Sequence, residues 1–120
     1  MYKFCKAIFF ILFILVIVTP GWAEDNDFKA KFSWLPITSD NVSGYRILYG
    51  LENGGPYSYT AEVGNPDPVD GRIHYEITGL NKGLTYYFVC VYINDQGEQS
   101  DYSSSVKVIG PPKGITLTAN

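Results

Sequence analysis

Apolar and polar residues alternate with a period of two along most of the chain beyond Phe28. In "FKAKFSW" the residues Phe28, Ala30, Phe32 and Trp34 fall on one side, with Lys29, Lys31 and Ser33 on the other. Tyr45, Ile47 and Tyr49 alternate with Arg46 and Leu48, and Ile73, Tyr75 and Ile77 alternate with His74, Glu76 and Thr78. Tyr57, Tyr59, Ala61 and Val63 align in a further run, and Val106 and Val108 flank Lys107. A period of two marks half-buried strands, whereas a helix repeats near 3.6 residues. Turn chemistry separates the runs: "LPITSDNVSG", "LENGGP", "NPDPVDG", "NKG" and "NDQGEQSDYS". Asn53-Gly54-Gly55 supplies the positive φ angles of a tight turn. Short strands at such regular spacing predict an all-β fold, an antiparallel sandwich of about seven strands.

One stretch departs from the alternation. "LTYYFVCVYIND", Leu84 to Asp95, is apolar on both faces. If Tyr86, Phe88, Cys90 and Tyr92 point inward, then Tyr87, Val89, Val91 and Ile93 point outward, alongside Leu48 of the neighbouring strand. The outer face of an antiparallel sheet is ordinarily polar, so Leu48, Tyr87, Val89 and Val91 form a candidate partner-binding face. The competing reading is that β-branched and aromatic residues simply favour strands here, covered by the stems of Arg46 and Lys107. On the first reading, exchanging Val89 and Val91 for Thr leaves the fold intact.

The N-terminus has a different character. Lys3 and Lys6 precede an unbroken apolar run, Ala7 to Val18, which Pro20-Gly21 terminates. Gly21 and Ala23 fit the small-residue positions of a signal-peptidase site, with cleavage before Glu24. The run is shorter than the roughly 20 residues a spanning helix needs, so residues 1–23 are expected to be a cleaved signal peptide rather than a retained anchor. That places the mature chain outside the cytoplasm, secreted or periplasmic, with no stable membrane span. Cys5 precedes the apolar run and is no lipobox cysteine. Of the nine basic residues in the whole chain, seven remain after cleavage against twelve acidic ones, a net charge of −5. Such a chain has little electrostatic reason to bind nucleic acid or an anionic membrane. Cys90 is the one cysteine left, so the domain is held by its core and not by disulfides.

Taken in order, several motifs resemble those of a fibronectin type III domain, an immunoglobulin-like β-sandwich, over roughly Phe28 to Gly110. Trp34 followed by Pro36 resembles the family's strand-B tryptophan, and "GYRILYG" its third strand. "YEITGL" is similar to strand E and its turn, "LNKGLTYYFVCVYIN" to strand F, and "GEQSDYS" to the serine-bearing approach to strand G. The versions in exported bacterial proteins look most alike. The resemblance implies a domain over 24–110, with 111–120 as a C-terminal tail or linker. It makes Tyr86 the tyrosine corner, its hydroxyl bonding to backbone near Leu80. The core is then expected to hold Phe32, Trp34, Tyr45, Ile47, Tyr75, Ile77, Leu80, Tyr86, Phe88, Cys90 and Val108. Two positions depart from the family pattern: Lys82 replaces a proline, and the bulky Tyr92 a small residue. Only Glu24 to Asp27 would precede strand B, so the first strand is expected to be short or partly missing.

Candidate chemistry is sparse. His74 and Glu76 share a face of one strand and could form an acid–base pair or half a metal site, or merely a polar face. Asp67 and Asp70 in "NPDPVDG" could bind calcium or sit in a solvated turn. "NGG" lacks the helix and lysine of a phosphate loop. "NVS" is a glycosylation sequon for a eukaryotic source. "DGR", Asp70 to Arg72, reverses an integrin-binding tripeptide and lies before strand E rather than in the F–G loop, so integrin binding is not carried over. No catalytic residue, metal ligand or cofactor is therefore assigned. The sequence points to a non-catalytic binding or spacer module whose partner is a protein or polysaccharide at the cell surface. Two alternatives stay open: a carbohydrate-binding module, from Tyr57, Tyr59, Tyr87 and Tyr102, or a structural subunit of an extracellular assembly.

Overall fold

The computed structural model describes the backbone of residues 15–20 and the whole of residues 27–114. Cys5, the expected cleavage point after Ala23 and the last six residues lie outside the described residues. Among those described there are seven strands: β1 (Leu15–Pro20), β2 (Asp27–Trp34), β3 (Val42–Gly50), β4 (Tyr59–Gly64), β5 (Ile73–Asn81), β6 (Thr85–Asn94) and β7 (Val106–Ile109). They form two antiparallel sheets, in the orders β1-β2-β5 and β4-β3-β6-β7.

Each sheet turns its alternate residues toward the other. Phe28, Ala30, Phe32 and Trp34 of β2 meet Tyr45 and Ile47 of β3 and Tyr86, Phe88, Cys90 and Tyr92 of β6 in one buried cluster. Aromatic edges and faces fill it: Phe32 lies 4.7 Å from Phe88, and Trp34 packs edge-on at 5.5 Å from Tyr45. Such pairs add to the area they bury because ring edges and faces carry opposite partial charge. The expected core residues are all in this cluster except Tyr75, which is partly buried and packs against it. Tyr75 pairs with Phe32 near the Trp34 end of the sheet, beside the exposed His74 and Glu76.

Two tyrosines tie loops to the core through their hydroxyls. The Asn81 backbone N–H donates to Tyr86 Oη at 2.9 Å, which is the tyrosine corner, beside Leu80. The Ile37 N–H donates to Tyr45 Oη at 3.0 Å and fixes the connection after Trp34.

The first strand is where the structure differs from expectation. A strand of six residues, Leu15–Pro20, precedes β2. Leu15–Pro20 pairs antiparallel with β2, from Leu15 opposite Ser33 to Pro20 opposite Phe28. "LVIVT" is rich in β-branched residues, which favour a pleated, half-covered position as readily as an apolar signal segment. The paired segment lies wholly within the residues expected to be cleaved.

Candidate interaction face

The face in question is the outer side of the β4-β3-β6-β7 sheet. Antiparallel partners point to the same side. The register pairs Arg46 with Val91, Leu48 with Val89 and Tyr87 with Lys107, so these six share the outer side. The alternation read from sequence is correct as to direction.

It is wrong as to exposure. Val89 and Val91 are only 2% and 0% exposed, so neither is available to a partner. Two cross-face contacts account for this. Arg46 donates through Nε to Glu62 Oε2 at 2.7 Å and through Nη1 to Gln99 Oε1 at 3.2 Å. Its side chain thus spans from β4 to the segment before β7, with Val91 beneath it. Tyr57, just before β4, meets Tyr102, before β7, edge to face at 5.5 Å. The inner side between them is filled by the core, so this contact crosses the outer side. The covering reading wins, with Arg46 as one expected agent and the tyrosine pair as agents that sequence did not disclose. Exchanging Val89 and Val91 for Thr would therefore disturb the fold.

What a partner meets is the cover itself. Tyr102 is 51% exposed, Tyr57 is half-buried, and Leu48 and Tyr87 are partly accessible around them. Tyr59 does not join this group. Sequence alternation aligns it with Tyr57, but β4 begins only at Tyr59. Tyr59 instead stacks on Tyr49 at 5.2 Å, which stacks in turn on Phe88 at 4.9 Å. That file of rings runs from a half-exposed edge into the core on the opposite side of the sheet.

The other candidates resolve into structure. His74 and Glu76 are both exposed, and His74 Nε2 lies 3.2 Å from the Val69 carbonyl oxygen. Among the described residues no three His, Cys, Asp or Glu side chains group as a metal site. Asp70 and Gly71 have φ of 52° and 78°, and Val69 and Arg72 exchange both backbone bonds. This is the Asp-Gly tight turn that requires two positive φ angles. The Arg72 guanidinium folds back to Ser33, Nε to Oγ at 3.0 Å and Nη2 to the carbonyl at 3.3 Å. Asp70 and Arg72 thus serve a turn and its anchoring, and Asp67 lies exposed before it.

Cys90 is fully buried and unbridged. Burial pushes its thiol well above the ordinary range, with contact with the Val91 carbonyl acting in the opposite direction. A thiol held protonated is a poor nucleophile.

Two facing sheets ordered β1-β2-β5 and β4-β3-β6-β7, with a tyrosine corner at the β5–β6 crossover, decide the architecture. The fold is that of a fibronectin type III domain. No protein-family model matches the sequence, but solved structures do. The sixth fibronectin type III domain of human fibronectin type III domain containing protein 3 aligns with a TM-score of 0.54 at 23% identity, over 87% of this chain and 88% of that one. A structure described as a myokine aligns with a TM-score of 0.50 at 19% identity, over 82% and 95%. Among the described residues no helix is long and apolar enough to cross a membrane.

Proposed function

We propose that this chain is an exported, non-catalytic binding module that contacts a protein or polysaccharide at the cell surface through the Tyr57–Tyr102 ridge. The observation that carries the reading is the edge-to-face contact of those two rings over an otherwise closed sheet. Two aromatic side chains from separate connections are held against each other, and each keeps a solvent-facing part. Tyrosine suits such a position, because it offers a large rigid area at little cost in side-chain entropy and carries a hydroxyl for hydrogen bonding. The apolar run before Pro20 and the acidic mature chain support export and argue against nucleic acid.

Binding is tested with the exported protein, incubated separately with insoluble polysaccharides and with envelope proteins of the source cell. Retention by one of them that is lost in Tyr102→Ala and Tyr57→Ala, with the melting temperature of each variant measured alongside, supports the ridge. Retention on polysaccharide alone would select the carbohydrate-binding reading. Retention unchanged in both variants would remove the ridge from the account.

A further inference from the structure

We propose that signal cleavage opens the edge of β2 and that the C-terminal segment of a second copy of this chain closes it. The inference rests on the export reading. Among the described residues β1 is an edge strand whose one strand neighbour is β2, and it ends at Pro20, before the cut expected after Ala23. Cleavage there removes all six of its residues and leaves the eight residues of β2 as an unpaired edge. No proline interrupts β2, and its inward residues Phe28, Ala30 and Phe32 belong to the core. A long open edge beside core residues is a template for another strand.

The chain carries a segment of matching length and pattern. Residues 115–120 read Ile-Thr-Leu-Thr-Ala-Asn, with Ile115, Leu117 and Ala119 alternating with two threonines. This is the pattern of a strand that covers a core on one side and meets water on the other.

Chain direction selects the second copy. β7 pairs Phe88 with Val106 and Thr85 with Ile109, so it runs toward the end of the sandwich where β2 begins. Gly110 is pressed there against Phe28, where an added Cβ would lie 2.7 Å from its ring. The Gly83 N–H donates to the Pro111 carbonyl at 2.8 Å, fixing the exit at that end. To reach its own β2 edge, the tail would have to reverse and run parallel to β2. If it keeps its heading, which the fixed φ of Pro111 and Pro112 favours, it enters the next copy at the Trp34 end. There it runs antiparallel to β2, the same direction as β1. Residues 112–114 give the crossing roughly 10 Å of reach. The contact is head-to-tail, so the copies extend into a chain unless the rotation between them closes a ring.

The test uses the full-length gene expressed in an exporting host, with the mature protein recovered outside the cytoplasm. Intact mass should give Glu24 as the first residue, and retention of residues 1–23 overturns the proposal because β1 then keeps the edge. Sedimentation should show species heavier than one chain that grow with concentration. Leu117→Pro, which removes a donor from the inserting strand, should return them to single chains. A peptide spanning residues 114–120 in tenfold excess should disperse the wild-type assemblies into single chains that carry the peptide by native mass spectrometry. This second arm decides the matter if the proline variant fails to fold. Wild-type protein that stays a single chain at every concentration, or assemblies that ignore both the variant and the peptide, overturns the proposal. A single-chain protein that still binds its target through Tyr102 would overturn it while leaving the proposed function standing.

Discussion

Ser103 exchanges two hydrogen bonds with the backbone of Cys90: the Cys90 N–H donates to Ser103 Oγ at 2.9 Å, and the Ser103 N–H donates to the Cys90 carbonyl at 2.9 Å. Ser100 does the same for Tyr92, with Oγ accepting at 3.0 Å and its N–H donating at 2.9 Å. β7 itself pairs with β6 only from Thr85 to Phe88. Beyond that point the two serines stand in for a strand and satisfy backbone groups that water cannot reach. Ser103→Ala leaves the buried Cys90 N–H without its acceptor and should cost about 1–3 kcal/mol. Urea denaturation of the two proteins measures it. A loss within a few tenths of a kcal/mol would mean that another group takes the serine's place.

Trp34, the last residue of β2, is packed between the sheets, fully buried and edge-on to Tyr45. Trp34→Ala removes a large ring from a site whose backbone is held by pairing with Ile73 of β5, so the space collapses only in part. The expected loss is about 3–5 kcal/mol, against a total stability of about 5–15 kcal/mol for a domain of this kind. Thermal unfolding of the variant should therefore begin well below that of the wild type.

The fold was legible because it depends on alternation and turn chemistry, which local sequence carries. The inward residues Phe32, Trp34 and Ile47 follow from period-two spacing, whereas Phe88 and Cys90, in a run apolar on both faces, are placed inward by the family resemblance. The candidate face was legible only in part. Spacing gives the direction in which Val89 and Val91 point, but not what lies over them. Their covers arrive from residues distant in sequence: Arg46 reaches Glu62 and Gln99, and Tyr57 reaches Tyr102. The apolar N-terminal run shows the same limit, since a β-branched segment has the composition of both a signal peptide and the edge strand β1.

Arg46 separates charge from cover. Its ion pair with Glu62 is half in solvent, with side-chain exposures of 32% and 65%. A pair of that kind contributes about 0–1 kcal/mol. Its stem, in contrast, shields Val91 whatever the ionic strength. Arg46→Met should therefore retain most of the stability that Arg46→Ala loses, and 1 M salt should narrow the gap only slightly. Val91→Thr, which puts a hydroxyl into that covered position, should cost about 1–3 kcal/mol. Denaturant midpoints at low and high salt for the three variants test both claims.

The buried thiol makes stability fall at alkaline pH. Burial raises the Cys90 pKa in the folded protein far above that of an exposed thiol, which ionises near 8.5. Above that pH the unfolded chain releases a proton that the folded chain still holds. The folded state then binds more protons than the unfolded one, so unfolding becomes easier as pH rises. Below about pH 8.5 the contribution is fully present. Above it the loss approaches about 1.4 kcal/mol per pH unit for one group. Tyr45 and Tyr49 are shifted upward as well, chiefly by burial, and add to the decline at higher pH. Cys90→Val keeps both tyrosines and the volume of the site, so the difference between variant and wild type isolates the thiol. Near pH 7 the two should lie within about 1.5 kcal/mol of each other. Between pH 8.5 and 10 the wild type should lose about 2 kcal/mol more than the variant. Parallel curves over that interval would mean that Cys90 ionises in the folded state, and the same thiol would then react with a maleimide without prior unfolding.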